Sequence, residues 1–345
     1  MMKRRNFLEK TLATSGALLV PGSAAAVIDK KASASELPSD KNDNETVFDE
    51  VIIERPVSGK PHQGKVLAVI QPHCDDIPIF AGGTVAKLID EGYTGYLIRT
   101  TNDDAAGSGK NYGEVVANNE ADTEAVARVL GLKKTYHLNY RNHNMDENNI
   151  QEIKARMIFL IRMLKIDTVI CYDPWAPYEN NPDHYITGRA FEAAITPAAS
   201  HLDYPEQLDL VQPHNVAERY FFTRRGPQYV NRIVDISKYI DKKVESNMVN
   251  VTQGPAGNNG SILRKKLAAQ GKSLPILGDD DRTADFNYIK HFVLDIESPR
   301  LRFAPSDKKI GEKYGLEWAE RFHYIGPIHS NQDDYITKNA VPLKK

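Results

Sequence analysis

The stretch Val66-Leu-Ala-Val-Ile-Gln-Pro-His-Cys-Asp-Asp76 delivers His73, Asp75 and Asp76 onto one turn directly after an apolar run. An imidazole and a carboxylate three residues apart on a turn can converge on one cation. Catalytic zinc commonly takes three such ligands and leaves a fourth position for water or substrate. A second fragment, Asn181-Pro-Asp-His184, follows another apolar run, Thr168-Val-Ile-Cys-Tyr172. With Asn181 as a helix cap and Pro182 as the first helical residue, His184 falls in the first turn, where the helix dipole disfavours imidazolium. Neutral imidazole is the form a metal ligand needs. His73, Asp76 and His184 are therefore the candidate ligands of Zn²⁺, although the same donor set suits other divalent ions. Asp75, beside Asp76 but pointing elsewhere on the turn, is the candidate general base, able to take a proton from water and pass one to a departing group.

The elements that must hold these residues are legible as well. Buried parallel strands read as continuous apolar runs, and open α/β sheets bind ligands just beyond the carboxyl ends of their strands. Strands predicted over 66–71, 96–100, 135–138 and 167–172 alternate with helices over 83–91, 114–130, 150–164 and 182–194. This alternation predicts an α/β fold with a doubly wound, mainly parallel sheet. Short right-handed crossovers then place both turns on one sheet edge. Later strands are expected over 217–223 and 232–236, followed by a helix over 237–249. Residues 61–250 read as the catalytic α/β domain and 251–345 as a C-terminal extension packed on it. The turn-rich stretch 252–285 within that extension reads either as a lid or as a flexible loop.

Together, the Pro-His-Cys-Asp-Asp and Asn-Pro-Asp-His turns resemble the two signature motifs of the PIG-L/LmbE-like family of zinc-dependent N-deacetylases. The usual forms there are Ala/Pro-His-Pro-Asp-Asp and His-Pro-Asp-His. Residues 81–92, with Ala-Gly-Gly-Thr, look like the helix that follows the family's first motif. Ala125-Val-Ala-Arg-Val-Leu-Gly131 looks like its second helix, and Gly315-Leu-Glu-Trp-Ala-Glu-Arg-Phe322 like its closing segment. The resemblance implies a Rossmann-like, LmbE-type fold and hydrolysis of the N-acetyl group of an amino sugar or glycoconjugate. It implies His73, Asp76 and His184 as zinc ligands and Asp75 as the base.

Three positions depart from the family pattern. Asn181 stands where the family has a His that stabilises the tetrahedral intermediate or protonates the leaving nitrogen; Asn can donate to an oxyanion but cannot shuttle a proton. Cys74 replaces a Pro, and Asn118-Asn119 stand where an Arg is common. Two rival readings remain: a non-catalytic carbohydrate-binding relative that kept the metal pocket, and a metal hydrolase of another amide or ester. Around the motifs, Asp103 and Asp104 either bind substrate or cap the segment from Ala105. His143, in the loop after the third strand, is either a spare acid or a solvated loop residue. Trp175 and Tyr178 offer an aromatic platform for a sugar ring or pack against the core. Asp183 either orients a ligand imidazole or is a first-turn acid favoured by the dipole.

Composition narrows the partners. At 345 residues and 41% hydrophobic content the chain can bury a substantial core, and a formal net charge of -2 supplies no global field for nucleic acid or an anionic membrane. Two cysteines, Cys74 and Cys171, are too few for a disulfide-framed scaffold. Lys3-Arg-Arg-Asn-Phe-Leu8, the short apolar stretch from Leu12 to Val20 and Ser23-Ala-Ala-Ala26 look like a twin-arginine export signal over residues 1–26. A polar linker and lead-in over 27–60 follows it. The expectation is export to the bacterial periplasm or beyond, without a stable membrane anchor.

Overall fold

The computed structural model describes residues 51–297, 304–327 and 331–342; the signal-like segment and most of the linker lie outside them. Eight strands make one sheet. In chain order they are β1 (Ile52–Glu54), β2 (Val66–Gln71), β3 (Thr94–Thr101), β4 (Lys134–Tyr140), β5 (Thr168–Tyr172), β6 (Glu218–Phe222), β7 (Arg232–Asp235) and β8 (Ala319–Ile325), and their order across the sheet is β1-β7-β8-β6-β5-β2-β3-β4. Every pairing is parallel except those of β8, which runs antiparallel to both β6 and β7. The fold is thus the doubly wound α/β architecture that the alternation of patterns predicts. From β2 the chain winds outward through β3 to β4, then returns to place β5 on the other side of β2. The switch point therefore lies between β2 and β5, where an open sheet leaves a crevice beyond its strand ends. Both motif turns leave the sheet there.

Each strand of the centre is buried on both faces, and the side-chain alternation of β2 divides between two layers. Leu67 and Val69 join a cluster with α1 (Asp76–Phe80), α2 (Gly82–Asp90), α3 (Tyr112–Leu130) and α6 (Ile240–Met248). Ala68 and Ile70 face the opposite cluster, built from α4 (Ile150–Leu164) and α5 (Pro182–Ala199). Fully burying a Leu, Ile or Val contributes about 1.5–3 kcal/mol, so the strands that carry the motifs are anchored in the core on both faces. The short α1 is not legible from periodicity because five residues, with Pro78 in the first turn, give no repeat to read.

The C-terminal part is more structured than its composition suggests. The stretch 252–285 holds α7 (Asn259–Ala268) and the start of α8 (Asp281–Tyr288), and a π-helical run follows over Ile289–Ile296. Beyond α9 (Asp307–Lys313), β8 inserts between β6 and β7 and carries the buried Glu320. Its carboxylate accepts the N–H groups of Gly83 and Thr84, at 3.0 and 2.8 Å, in the first turn of α2. A Cβ on Gly83 would lie 2.8 Å from Ile236, so the glycine serves close packing. Lys243 Nζ closes this latch, 2.5 Å from Glu320 and 2.6 Å from Asp307. Removing one partner from a buried ionic cluster strands the others at a cost of about 3–5 kcal/mol. Lys243→Ala is expected to destabilise the protein by that amount in denaturant unfolding; a loss under about 1 kcal/mol would contradict the latch.

Candidate active site

The first motif turn is fixed by its own backbone. Asp76 opens α1 and its Oδ2 accepts the His73 N–H at 2.9 Å, while Gln71 Oε1 accepts the Ile77 N–H at 3.0 Å. Asp75 occupies the N-cap position, yet its carboxylate makes no cap hydrogen bond. An Asp–Asp pair whose first member does not cap the helix leaves that carboxyl free for other work. The second motif folds as its residue types dictate. Asn181 Oδ1 accepts the Asp183 N–H at 3.0 Å, Pro182 is the first helical residue of α5, and His184 sits in the first turn.

These two turns bring His73, Asp76 and His184 together. Nδ1 of His73 and Nε2 of His184 are 3.1 Å apart; Asp76 Oδ2 is 3.3 Å from the former and Oδ1 is 3.6 Å from the latter. The three residues are buried and offer donor atoms all within 4.8 Å of one another. Carboxylates stand behind both rings. His73 Nε2 lies 3.0 Å from Asp183 Oδ2, and His184 Nδ1 lies 3.3 Å from Glu179 Oε1. When those outer nitrogens carry the protons, the inner two present lone pairs to each other across a short gap that also holds a carboxylate. A cation resolves that arrangement, and the donor set fits a divalent metal.

The protonation energetics of the metal-free site divide the two rings. Burial lowers His184 below the ordinary histidine value, which favours the neutral ligand form. For His73 burial also acts downward, but hydrogen bonds to Asp183 and Asp76 prevail and raise it. Burial likewise pushes Asp76 upward, yet His184, His73 and the Tyr172 hydroxyl outweigh it and hold the carboxyl at about 2. Asp75 goes the other way. Burial, and then the charge of Asp76, push it up to about 7. The two neighbouring carboxyls are thereby driven apart, Asp76 toward the anion and Asp75 toward proton exchange near neutrality.

Further groups shape this centre; the sequence offers Asp183 as a residue that orients an imidazole, whereas Tyr172, Glu179 and the Gly254 segment are not assigned there. Tyr172, at the end of β5, donates to Asp76 Oδ1 at 2.6 Å and stacks its ring on His184 at 4.1 Å between centroids. Asp183 also accepts the N–H groups of His143 and Met145, at 2.6 and 3.2 Å, and so ties the loop after β4 to the ligand His73. A cavity of about 260 Å³ opens on the centre, lined by His73, Asp75, Asp76 and His184 together with Asn142, His143, Asn181, Arg224, Gln253 and Pro255, among others. Gln253 and Pro255 come from the stretch after α6. Between them Gly254 has φ +87°, and a Cβ there would lie 2.6 Å from Asp75 Oδ2. No local pattern announces that contact; only the Gly-rich composition hints at it.

Other expected substrate residues lie elsewhere. Asp103 is buried, its Oδ2 accepting from the Cys74 N–H at 3.1 Å and from Arg99 at 3.3 Å. Asp104 accepts from Tyr112, from Arg141 and from the Asn142 N–H. Both carboxylates are consumed in fastening the β3 end to the neighbouring turns, and neither lines the cavity. Trp175 packs on Phe221 and His323, and Tyr178 is 73% exposed; both are likewise outside the cavity lining. His143 does line it, with its ring 6.3 Å from that of His73. Burial pushes the Cys74 thiol well up, so it stays protonated among Asn119, Asn250 and Gln253. At the position without the family's Arg, Asn119 spends its amide on the Asp103, Ala106 and Val115 carbonyls.

Fold and site together place a His/Asp group that could hold a metal ion at the switch point of a doubly wound sheet. Residues 68–195 match the PIG-L family model, described as GlcNAc-PI de-N-acetylase. A diacetylchitobiose deacetylase of Thermococcus kodakarensis is 28% identical over 194 residues, spanning 55% of this chain and 71% of that protein. The solved N,N'-diacetylchitobiose deacetylase of Pyrococcus horikoshii aligns with a TM-score of 0.57 and 25% identity over 78% of this chain and 88% of its own. GalB, the 4-carboxy-2-hydroxymuconate hydratase of Pseudomonas putida, shares the fold, with a TM-score of 0.53 and 14% identity over 78% of this chain and 99% of its own. One fold therefore hosts different reactions, and the side chains of the site must carry the functional argument.

Two substitutions probe this geometry. Losing a carboxylate behind a ligand imidazole typically weakens metal binding roughly 10–100-fold. Asp183→Ala is expected to do so in competition with a chromogenic chelator, and unaltered affinity would count against the assignment. Gly254→Ala should displace the loop or Asp75; since a misplacement of about 1 Å can lower rate on the order of 100-fold, kcat/KM should fall by about tenfold or more. Full activity in that variant would show that the loop does not set the position of Asp75.

Proposed function

We propose that this chain is a metal-dependent N-deacetylase that hydrolyses the N-acetyl group of an amino sugar or glycoconjugate to acetate and a free amine. The observation that carries the reading is Asp75, a half-buried carboxyl at a helix cap that it does not cap, beside the His73, Asp76 and His184 donors and facing the cavity. His73, Asp76 and His184 would hold Zn²⁺ or a similar divalent ion. When bound, such an ion supplies Lewis acidity, polarising the acetyl carbonyl and acidifying water.

The chain's own residues do the rest. Asp75 accepts a proton as water adds to the acetyl carbon, then returns it to the nitrogen as the C–N bond breaks, so no net proton is consumed by the protein. Asn181 lines the cavity, and because its Oδ1 is held by the Asp183 N–H, its Nδ2 remains as the donor for the developing oxyanion. This division suits a site in which Asn stands in place of a proton-carrying His. Similarity to the two deacetylases supports the reaction class. The Arg4-Arg5 signal-like segment supports work outside the cytoplasm, after export in the folded state.

Asp75→Asn tests the reading. General base catalysis is worth roughly 10²–10⁴-fold, so acetate release from N-acetylated saccharides should fall by at least that factor while bound metal stays stoichiometric. Undiminished acetate release in the metal-loaded variant would remove Asp75 from the mechanism.

A further inference from the structure

A second cavity, of about 360 Å³, adjoins the first. It shares His143, Asn181 and Arg224 with it and adds Asn180, Pro182 and Arg225. Its lining contains two guanidinium groups and no carboxylate. The two arginines differ in their partners. Arg224 Nη2 donates to Glu179 Oε1 at 3.1 Å and to Asn180 Oδ1 at 3.3 Å, so its charge is answered by the same carboxylate that faces His184. Arg225 has no carboxylate within ion-pair distance among the described residues, and its buried Nε finds no hydrogen-bond partner among them. Its carbonyl accepts from Thr223 Oγ1 at 2.5 Å, which fixes the root of the side chain just beyond β6, on the edge that carries the active site.

A partly buried guanidinium without a counter-charge is unfavourable in the free protein, and its planar fork matches a two-oxygen anion. We propose that this recess is an anion subsite and that the physiological substrate carries, beside its N-acetylated sugar ring, a carboxylate, phosphate or sulfate group held by Arg225. Asn180 and Asn181 supply amides at its wall, and Arg224 completes the cationic side. The subsite deepens the deacetylase reading and rests on it for the identity of the reacting ring.

Binding measured separately from turnover tests the subsite. The metal-loaded full chain is titrated calorimetrically with N-acetylglucosamine, its 6-phosphate, its 6-sulfate and N-acetylmuramic acid. The same is done with Arg225→Gln and Arg225→Lys, whose folding is verified by thermal unfolding. At least one charged sugar is expected to bind tenfold or more tighter than the neutral one. Which charged sugar does so identifies the anion. Arg225→Gln should erase that preference and Arg225→Lys should keep part of it. Equal binding of neutral and charged sugars by the wild type overturns the proposal whatever the variants do. So does a preference that survives in Arg225→Gln, which would assign the anion to the metal or to another group. Acetate release in the same samples separates the two readings. A charged sugar bound through Arg225 but never deacetylated removes the deacetylase reading alone; equal deacetylation of neutral and charged sugars with equal affinity removes the anion subsite alone.

Discussion

Two imidazole nitrogens held 3.1 Å apart, each ring backed by a carboxylate, are the constraint on which the rest of the molecule depends. Left to themselves, two neutral rings would not settle with lone pairs opposed, and two charged ones would repel in a buried site. The fold enforces the arrangement from several directions. Adjacent pairing of β2 and β5 sets the turns side by side, Tyr172 stacks on His184 while binding Asp76, and Asp183 joins His73 to the loop after β4. The contacts come from several elements, so the three donor residues are preorganised by the core. Such rigidity is what lets a metal site hold one geometry instead of adapting to whichever ion arrives.

The same crowding explains why neighbouring aspartates behave differently. Asp76 points into the space between the imidazoles, where His184, the His73 ring and the Tyr172 hydroxyl together overcome the penalty of burial. Asp75 turns toward the Gly254 loop, where burial meets no donor strong enough to compensate and the charge next door adds to the effect. One carboxyl is thereby committed to charge and the other to proton exchange, from adjacent positions in the chain. Gly254 is the condition for this, since its backbone lies where any side chain would strike Asp75.

Much of this was legible in the sequence, and the reason is locality. The apolar runs of β2 and β5, the cap Asn181-Pro182 and the placement of His184 in the first turn all follow from neighbours a few residues apart. What escaped reading depends on distant partners. β8 pairs antiparallel with strands about a hundred residues earlier, and nothing in Ala319–Ile325 names them. Glu179 and Gln253 reach the site from irregular segments. Asp103 and Asp104 fall at the correct sheet edge, yet Arg99, Arg141 and the Cys74 and Asn142 amides already claim their oxygens. Position along the chain told where a side chain would be, not whether its hydrogen-bonding capacity was still free.

The claim beneath all of this is that one divalent ion belongs between His73, Asp76 and His184. Anomalous X-ray diffraction from crystals of the zinc-loaded protein, recorded on both sides of the zinc absorption edge, tests it most directly. The account predicts a single strong anomalous peak within bonding distance of His73 Nδ1, His184 Nε2 and an Asp76 oxygen. A fully loaded crystal with its peak elsewhere, or with no peak between the two imidazoles, would contradict it.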